Sequence, residues 1–405
     1  MTDARLRRGR RALTLTFLVQ GAAFALLVTR IPAVQQQYGI PDALLPACLA
    51  AVPVLAGLGS AATGALVARV PATTVLRWAQ PLVLLALAGV GLGTRAWQLG
   101  AALAVFGLAV GALDASMNIR GVTLQQAYGR SIMLGFHAAY SLGGIGGAAL
   151  AWGGARLGLP LGHFHPPLAL ALLTVALVAG RHHGDRQDDH GARHDRPAPQ
   201  GHHPRKGGPV PWAGLLPLCL VMAFAYIGDA TVSHWSATYV LDTLGGTEAA
   251  ATLPYSAYMA TTLIGRALGD LAVRRHGPVA VVRGGALLAS GGFAVVALAP
   301  GPWTGLAGFT VLGLGLSVIV PQTFAAAGQH PAADTAVARL NVFTYAGFLV
   351  GAPLVGALGE AWSPRWAMTV PLVLLLATIP YAGSFAGRGD RYGGGHERPR
   401  TVDVG

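Results

Sequence analysis

The sequence predicts an all-α membrane protein with twelve transmembrane helices in two six-helix halves. Three observations carry that expectation. Only 11% of the 405 residues are charged and 53% are hydrophobic, against roughly 25% charged in an average soluble domain. So few charges cannot cover a water-facing surface of this size. The apolar residues fall in blocks of about 20, the length that crosses a bilayer core of roughly 30 Å as a helix. The second half of the chain also echoes the first at a nearly constant spacing.

Twelve predicted spans cover residues 12–31, 44–68, 76–93, 98–119, 133–155, 164–180, 212–238, 250–273, 279–299, 303–327, 337–359 and 366–386. They divide the chain into an N-terminal tail (1–11), a six-helix bundle (12–180), a linker (181–210), a second bundle (211–386) and a C-terminal tail (387–405). The 57 glycines lie largely inside the apolar blocks, where small residues let helices pack closely in lipid. Pro53, Pro321 and Pro353 interrupt spans; bundle neighbours re-satisfy the backbone groups freed at such breaks.

Lys and Arg set the orientation. With a cytoplasmic N-terminus, the inner loops and tails hold 24 of the 28 basic residues, leaving Arg30, Arg95, Arg156 and Arg365 outside. That asymmetry places both termini in the cytoplasm of a multi-pass cell-membrane protein. It also accounts for the net charge of +12 through topology, with no nucleic-acid partner. The stretch RRGRRALTLTF (8–18) is read as a retained first helix with a basic flank rather than a cleaved export signal, since no small-residue cleavage site follows.

The segment 181–209, rich in His, Pro, Gly and charge, reads as a disordered linker. Its irregularly spaced histidines favour a solvated linker over a metal site. Cys48 and Cys219 lie in apolar blocks and read as small core residues. No metal and no cofactor are expected.

The internal echo is ordered. GALVAR (64–69) aligns with GDLAVR (269–274), VFGLAVG (105–111) with VLGLGLS (311–317), and FHAAYSLGGIGGA (136–148) with FTYAGFLVGAPLV (343–355), at offsets of 205, 206 and 207. A six-plus-six duplication joined by a long inner linker resembles the major facilitator superfamily. The local match is to its YbjJ-like branch, related to fucose–proton symporters. It is carried by TRIPAVQQQYGI (29–40), LDASMNIRGVTLQQAYGRSIMLGFHAAYSLGG (113–144), GDATVSHWSATYV (228–240), GRALGD (265–270) and FLVGAPLVGALGE (348–360). The resemblance implies the twelve-helix transporter fold without naming a cargo; sugar or polyol uptake is what the fucose branch suggests.

Polar residues inside the spans are the candidate machinery. Gly107, Gly111, Asp114, Asn118 and Gly121 recur at steps of four and three, one face of a helix. Lipid cannot satisfy a carboxylate, so that face is expected to meet other helices or a wet cavity. Burial disfavours the charged form of an unpaired acid, and an acid that gains and loses a proton suits proton coupling. The alternative is a structural acid holding Arg120 or a neighbouring helix. His137, Tyr140, Ser141 and Gly144 form the polar face of span five. His137 lies at the depth of Asp114, so the two either share a proton or the imidazole merely ties the helices together. On span seven Tyr226, Asp229 and Ser233 share a face, with His234 and Trp235 beyond. The resembled family more often has an acid where His234 stands, and Trp235 has a competing reading as an interfacial anchor. Gln20 either bridges helices or binds substrate, and Arg30 either snorkels to headgroups or attracts an anion.

At the inner end of span eight, Arg266, Asp270 and Arg275 resemble the superfamily's inner gate motif. The first-half loop carries Ala68 where its acid would be expected.

These features predict a secondary transporter, not an enzyme, moving a small sugar-like or other metabolite with protons by alternating access. No Walker-type phosphate loop occurs. An exporter of amphipathic compounds and a non-transporting sensor are the rivals. The bilayer, protons and a small molecule are the expected partners of a monomer. Asp114, His137 and Asp229 are the proton-coupling candidates. Gln20, Asn118, Tyr140, Ser141, Tyr226 and Ser233 are the cavity candidates, and Arg266, Asp270 and Arg275 those for gating.

Overall fold

A computed structural model describes residues 3–41, 44–181 and 212–386, and every regular element among them is helical. The predicted linker, apart from Arg181, and the C-terminal tail lie outside the described residues. Six helices form the first half: α1 (Asp3–Val28), α2 (Leu45–Leu66), α3 (Ala72–Leu92), α4 (Ala96–Tyr128), α5 (Met133–Arg156) and α6 (Leu161–Gly180). The second half holds α7 (Trp212–Thr238, prolonged by a π-helical turn, Tyr239–Thr243), α8 (Leu253–His276), α9 (Pro278–Leu298), α10 (Pro302–Ala327), α11 (Ala333–Ala361) and α12 (Pro364–Phe385, in four short pieces). A short helix, Ile31–Tyr38, follows α1. Among the described residues nine helices are long and apolar enough to cross a membrane. α5 and α8 fall outside that set because they carry the polar faces described below, and α2 because the apolar stretch counted there, Ala50–Leu66, is shorter.

The twelve predicted spans are present, and two ends differ by nine residues. α4 continues to Tyr128 rather than stopping at 119. Hydropathy falls where a helix leaves the apolar layer, whereas the helix itself ends only at Gly129, which takes the left-handed φ of 64°. α1 starts at Asp3, so residues 3–11 are helical rather than a loose tail.

The halves repeat one packing scheme. In the first, α1 packs on α5, α2 and α3 on α4, and α3 on α6; in the second, α7 packs on α11, α8 and α9 on α10, and α9 on α12. Contact between halves is reciprocal: α5 meets α8, and α2 meets α11. This is the duplication seen at sequence offsets of 205–207, now expressed as pseudo-two-fold geometry. Glycine makes the tightest seam possible. A Cβ at Gly143 would lie 1.9 Å from the Leu18 carbonyl oxygen, and one at Gly21 would lie 2.0 Å from that of Tyr140. Any larger residue at either position pushes α1 and α5 apart.

The outside is apolar. Leu58, Leu85, Leu170, Leu271 and Leu298 are exposed, and exposed tryptophans (Trp78, Trp97, Trp152, Trp303, Trp362, Trp366) stand near helix ends. That is the distribution of a lipid-facing wall with aromatic belts. The end of the bundle bearing the α2–α3, α4–α5, α8–α9 and α10–α11 connections holds Arg69, Arg130, Arg274 and Arg275. It is called the basic end below.

Candidate functional site

Each half contributes one acid to the middle of the bundle. On α4, the Asp114 carboxylate accepts a hydrogen bond from the Tyr345 hydroxyl of α11 and a long one, 3.5 Å, from Gln20 Nε2 of α1. On α7, the Asp229 carboxylate accepts from the Tyr258 hydroxyl of α8. Tyr140 and Tyr226 stand close enough to Asp114 and Arg266 to interact with them electrostatically. Asp114, Tyr140, Tyr226, Asp229, Arg266 and Tyr345 all keep part of their surface accessible although they sit mid-helix. They stand where the two halves face each other, and a part-accessible position of that kind is where a bundle can solvate a carboxylate.

The expected sharing of a proton between Asp114 and His137 has no counterpart in this geometry. The His137 ring lies between Phe17 and Phe324, with centroids 5.4 and 6.0 Å away, and its Nε2 is buried without a partner. Equal depth on neighbouring helices did not put the two side chains on facing sides. The small stripe of α4 is also divided. A Cβ at Gly111 would lie 1.8 Å from the Ala56 carbonyl oxygen, and one at Gly107 would lie 2.9 Å from Leu55 Cβ. These glycines seat α4 against α2, and Asp114 faces the other half. Asn118 is buried, donating at 2.8 Å to the Asp114 carbonyl of its own helix. Gln20 is buried and bridges α1 to α4.

Ser141 is buried and links polar groups of two helices, α5 and α8. Its hydroxyl donates to the His137 carbonyl (3.2 Å) and accepts from Arg266 Nη1 of α8 (2.7 Å). Ser233 lies beside Tyr255, within hydrogen-bond reach. His234 is exposed, bonded to the Ala230 carbonyl at 2.9 Å and set against Phe348. Trp235 is no interfacial anchor: its indole donates to the Ala352 carbonyl of α11 at 3.0 Å. Arg30 does not snorkel. It is buried, donates to the Leu159 carbonyl at 2.8 Å, and stacks over Phe164.

The expected gate separates into two parts. At the basic end the buried Asp270 carboxylate of α8 accepts from Ser131 Oγ (2.6 Å), Leu134 N (3.3 Å) and Gly135 N (2.9 Å). An acid from one half therefore covers the N-terminus of α5 in the other, where free N–H groups and the helix dipole favour negative charge. Arg266 is not part of this contact; it donates to Ser141 and lies within electrostatic range of Asp229 instead. Arg275 is exposed, and it is Arg274 that meets Asp270, donating to its backbone carbonyl at 3.0 Å. The first-half counterpart of Asp270 is Ala65 rather than Ala68. Gly64 faces Ala338 of α11 as Gly269 faces Leu134 of α5, and each next residue occupies the acid's position.

Tyr258 and Tyr345 did not stand out in the sequence. The internal repeat did not mark the second either: at the local offset of 207 Tyr345 aligns with Ala138.

Two pseudo-symmetric six-helix halves around a polar centre define a membrane transporter fold. The Major Facilitator Superfamily model matches residues 218–396. An uncharacterized MFS-type transporter of Yersinia pestis is 29% identical, the match covering 91% of this chain and 93% of that protein. Membrane protein MosC of Rhizobium meliloti is 26% identical over 86% of this chain and 83% of its own. Among solved structures, FucP in its outward conformation matches with a TM-score of 0.70 at 16% identity, covering 93% of this chain and 98% of FucP. The proton:xylose symporter XylE matches with a TM-score of 0.71 at 14% identity, covering 95% and 96%. Over most of its length the chain is similar to transporters of the major facilitator superfamily, whose fold it shares.

Proposed function

We propose that the chain is a proton-coupled secondary transporter that moves a small organic solute across the cell membrane by alternating access, as a monomer with both termini cytoplasmic. The observation that carries this reading is the Tyr345–Asp114 hydrogen bond. The acid sits on one half and its donor on the other, so rocking the halves changes what solvates the carboxylate. A group whose surroundings differ between two states binds its proton with different affinity in each, and by linkage the proton biases the states. Asp270 on the α5 N-terminus supports a closed basic end that must part for the alternate state. By the charge asymmetry that end faces the cytoplasm, so the arrangement described is outward-facing.

The test uses purified protein in proteoliposomes under an imposed pH gradient, with candidate labelled solutes. Accumulation that collapses with a protonophore supports the reading. Asp114→Asn is expected to abolish accumulation while counterflow exchange of the same solute persists. Accumulation that survives in this variant rejects Asp114 as the coupling group.

A further inference from the structure

We infer that the transported solute is an organic anion, and that Arg266 holds its carboxylate. The inference rests on the transport reading above and adds the charge class of the cargo. Arg266 lies on α8 where the halves face each other and keeps part of its surface accessible. One of its nitrogens, Nη1, is engaged, donating to Ser141 Oγ at 2.7 Å. Nε is buried with no partner, and Nη2 makes no hydrogen bond among the described residues. The Nε–Nη2 edge of a guanidinium presents two parallel N–H groups, the geometry that matches a carboxylate with two bonds at once.

The acids nearby do not fill that role. Asp229 feels Arg266 electrostatically, but its carboxylate is bonded to Tyr258; Asp114 is bonded to Tyr345. Each of those tyrosines spends its single proton on its acid. Tyr140 remains beside Arg266 with its hydroxyl available to a ligand, and the Tyr226 hydroxyl next to it lies within hydrogen-bond reach of Thr344. A sugar hydroxyl can take one N–H at a time and brings no charge, so it matches the free edge of the guanidinium less well than a carboxylate does. A carboxylate satisfies the orphaned Nε, pairs the charge, and still leaves the Tyr140 hydroxyl for polar groups further along the solute. Arg30, the other arginine the sequence placed near a substrate, donates through Nη2 to the Leu159 carbonyl, stacks over Phe164 and is itself buried, away from the central acids. The sugar-like cargo expected from sequence is thereby narrowed to solutes carrying an acid group.

The test is a thermal-shift titration of the full chain in nanodiscs with hydroxy acids of three to eight carbons. Each acid is paired with its primary amide and its amine as neutral and cationic isosteres. Stabilisation is expected from acids only, with affinity at least about tenfold above the matched amide. Arg266→Gln is expected to weaken it by about 100-fold. Arg266→Lys keeps the preference for acids but loses the two-bond geometry, and Ser141→Ala keeps the cation and the preference. Equal stabilisation by amides or amines, or by no member of the panel, overturns the inference. So does an acid preference unchanged in Arg266→Gln. Liposome flux separates this from the transport reading. Proton-driven uptake of a neutral member sinks the anion and spares transport; acid binding without flux spares Arg266 and sinks transport.

Discussion

The two central acids are alike in chemistry and opposite in what holds them. Asp229 takes its tyrosine, Tyr258, from its own half, and Asp114 takes Tyr345 from the other. When the halves rock as rigid bodies, the Asp229–Tyr258 pair travels intact, whereas the Asp114–Tyr345 pair must stretch or break. On the proposed mechanism only the second reports the conformational state to a proton. Position in the middle of a membrane would then not by itself make an acid a coupling group; the ownership of its hydrogen-bond partner would.

The largest expected effect follows directly. Asp114→Asn is expected to remove gradient-driven accumulation entirely, while Asp229→Asn retains coupling with altered affinity. Loss of coupling in both variants would erase the distinction between the halves. The tyrosines sharpen the comparison without touching either acid. Tyr345→Phe leaves Asp114 with only the long Gln20 contact. It is expected to change the rate of interconversion between states by about tenfold, as for loss of one hydrogen bond to a charged group. Tyr258→Phe is expected to stay within about twofold in the same measurement, because a bond that moves with its helix pair contributes equally to both states. Single-molecule fluorescence between labels on the two halves reads both rates. Equal effects would mean that the halves deform internally rather than rock.

Much of this was legible in the sequence, for identifiable reasons. The spans were visible because lipid imposes length and apolarity on each helix independently, so α9 and α10 lie within a residue or two of where hydropathy put them. Asp114 and Asp229 were visible as charges inside apolar runs. Their partners were not, since a tyrosine in a membrane helix carries no such contrast and Tyr345 meets Asp114 across 231 residues. Arg266 was misread through a true regularity. Four residues from Asp270 it shares that helix face, but four residues are also about 6 Å along the axis. That step separates the basic-end contact from the central acids. His137 failed similarly: depth along the membrane can be counted, but the rotation of α5 that buries the ring between Phe17 and Phe324 cannot.

The basic end gives the next prediction. Asp270→Asn keeps a hydrogen-bond acceptor over the N-terminus of α5 but removes the negative charge. An acid at a helix N-terminus contributes about 1 kcal/mol when partly buried. The population closed at the basic end is therefore expected to fall by about fivefold, seen as longer distances between spin labels replacing the exposed Arg69 and His276. An unchanged distance distribution would reduce the Asp270 contact to local packing.

The smallest effect tests why the latch exists on one side only. α5 begins without an acid in its first turn, so the other half supplies Asp270; α11 begins with its own, Asp334, and the first-half position equivalent to Asp270 is the exposed Ala65. On this account Ala65 is not a lost acid but a position where one has no cation or free dipole to meet. Ala65→Asp alone is expected to open the basic end slightly, by like-charge repulsion against Asp334. Combined with Asp334→Asn it should rebuild the missing latch and shift the population back toward closed by about twofold, the lower end of a charge–dipole contribution. If Ala65→Asp alone closes the basic end as strongly as the double variant, Asp334 does not serve α11 and the asymmetry between the halves has another origin.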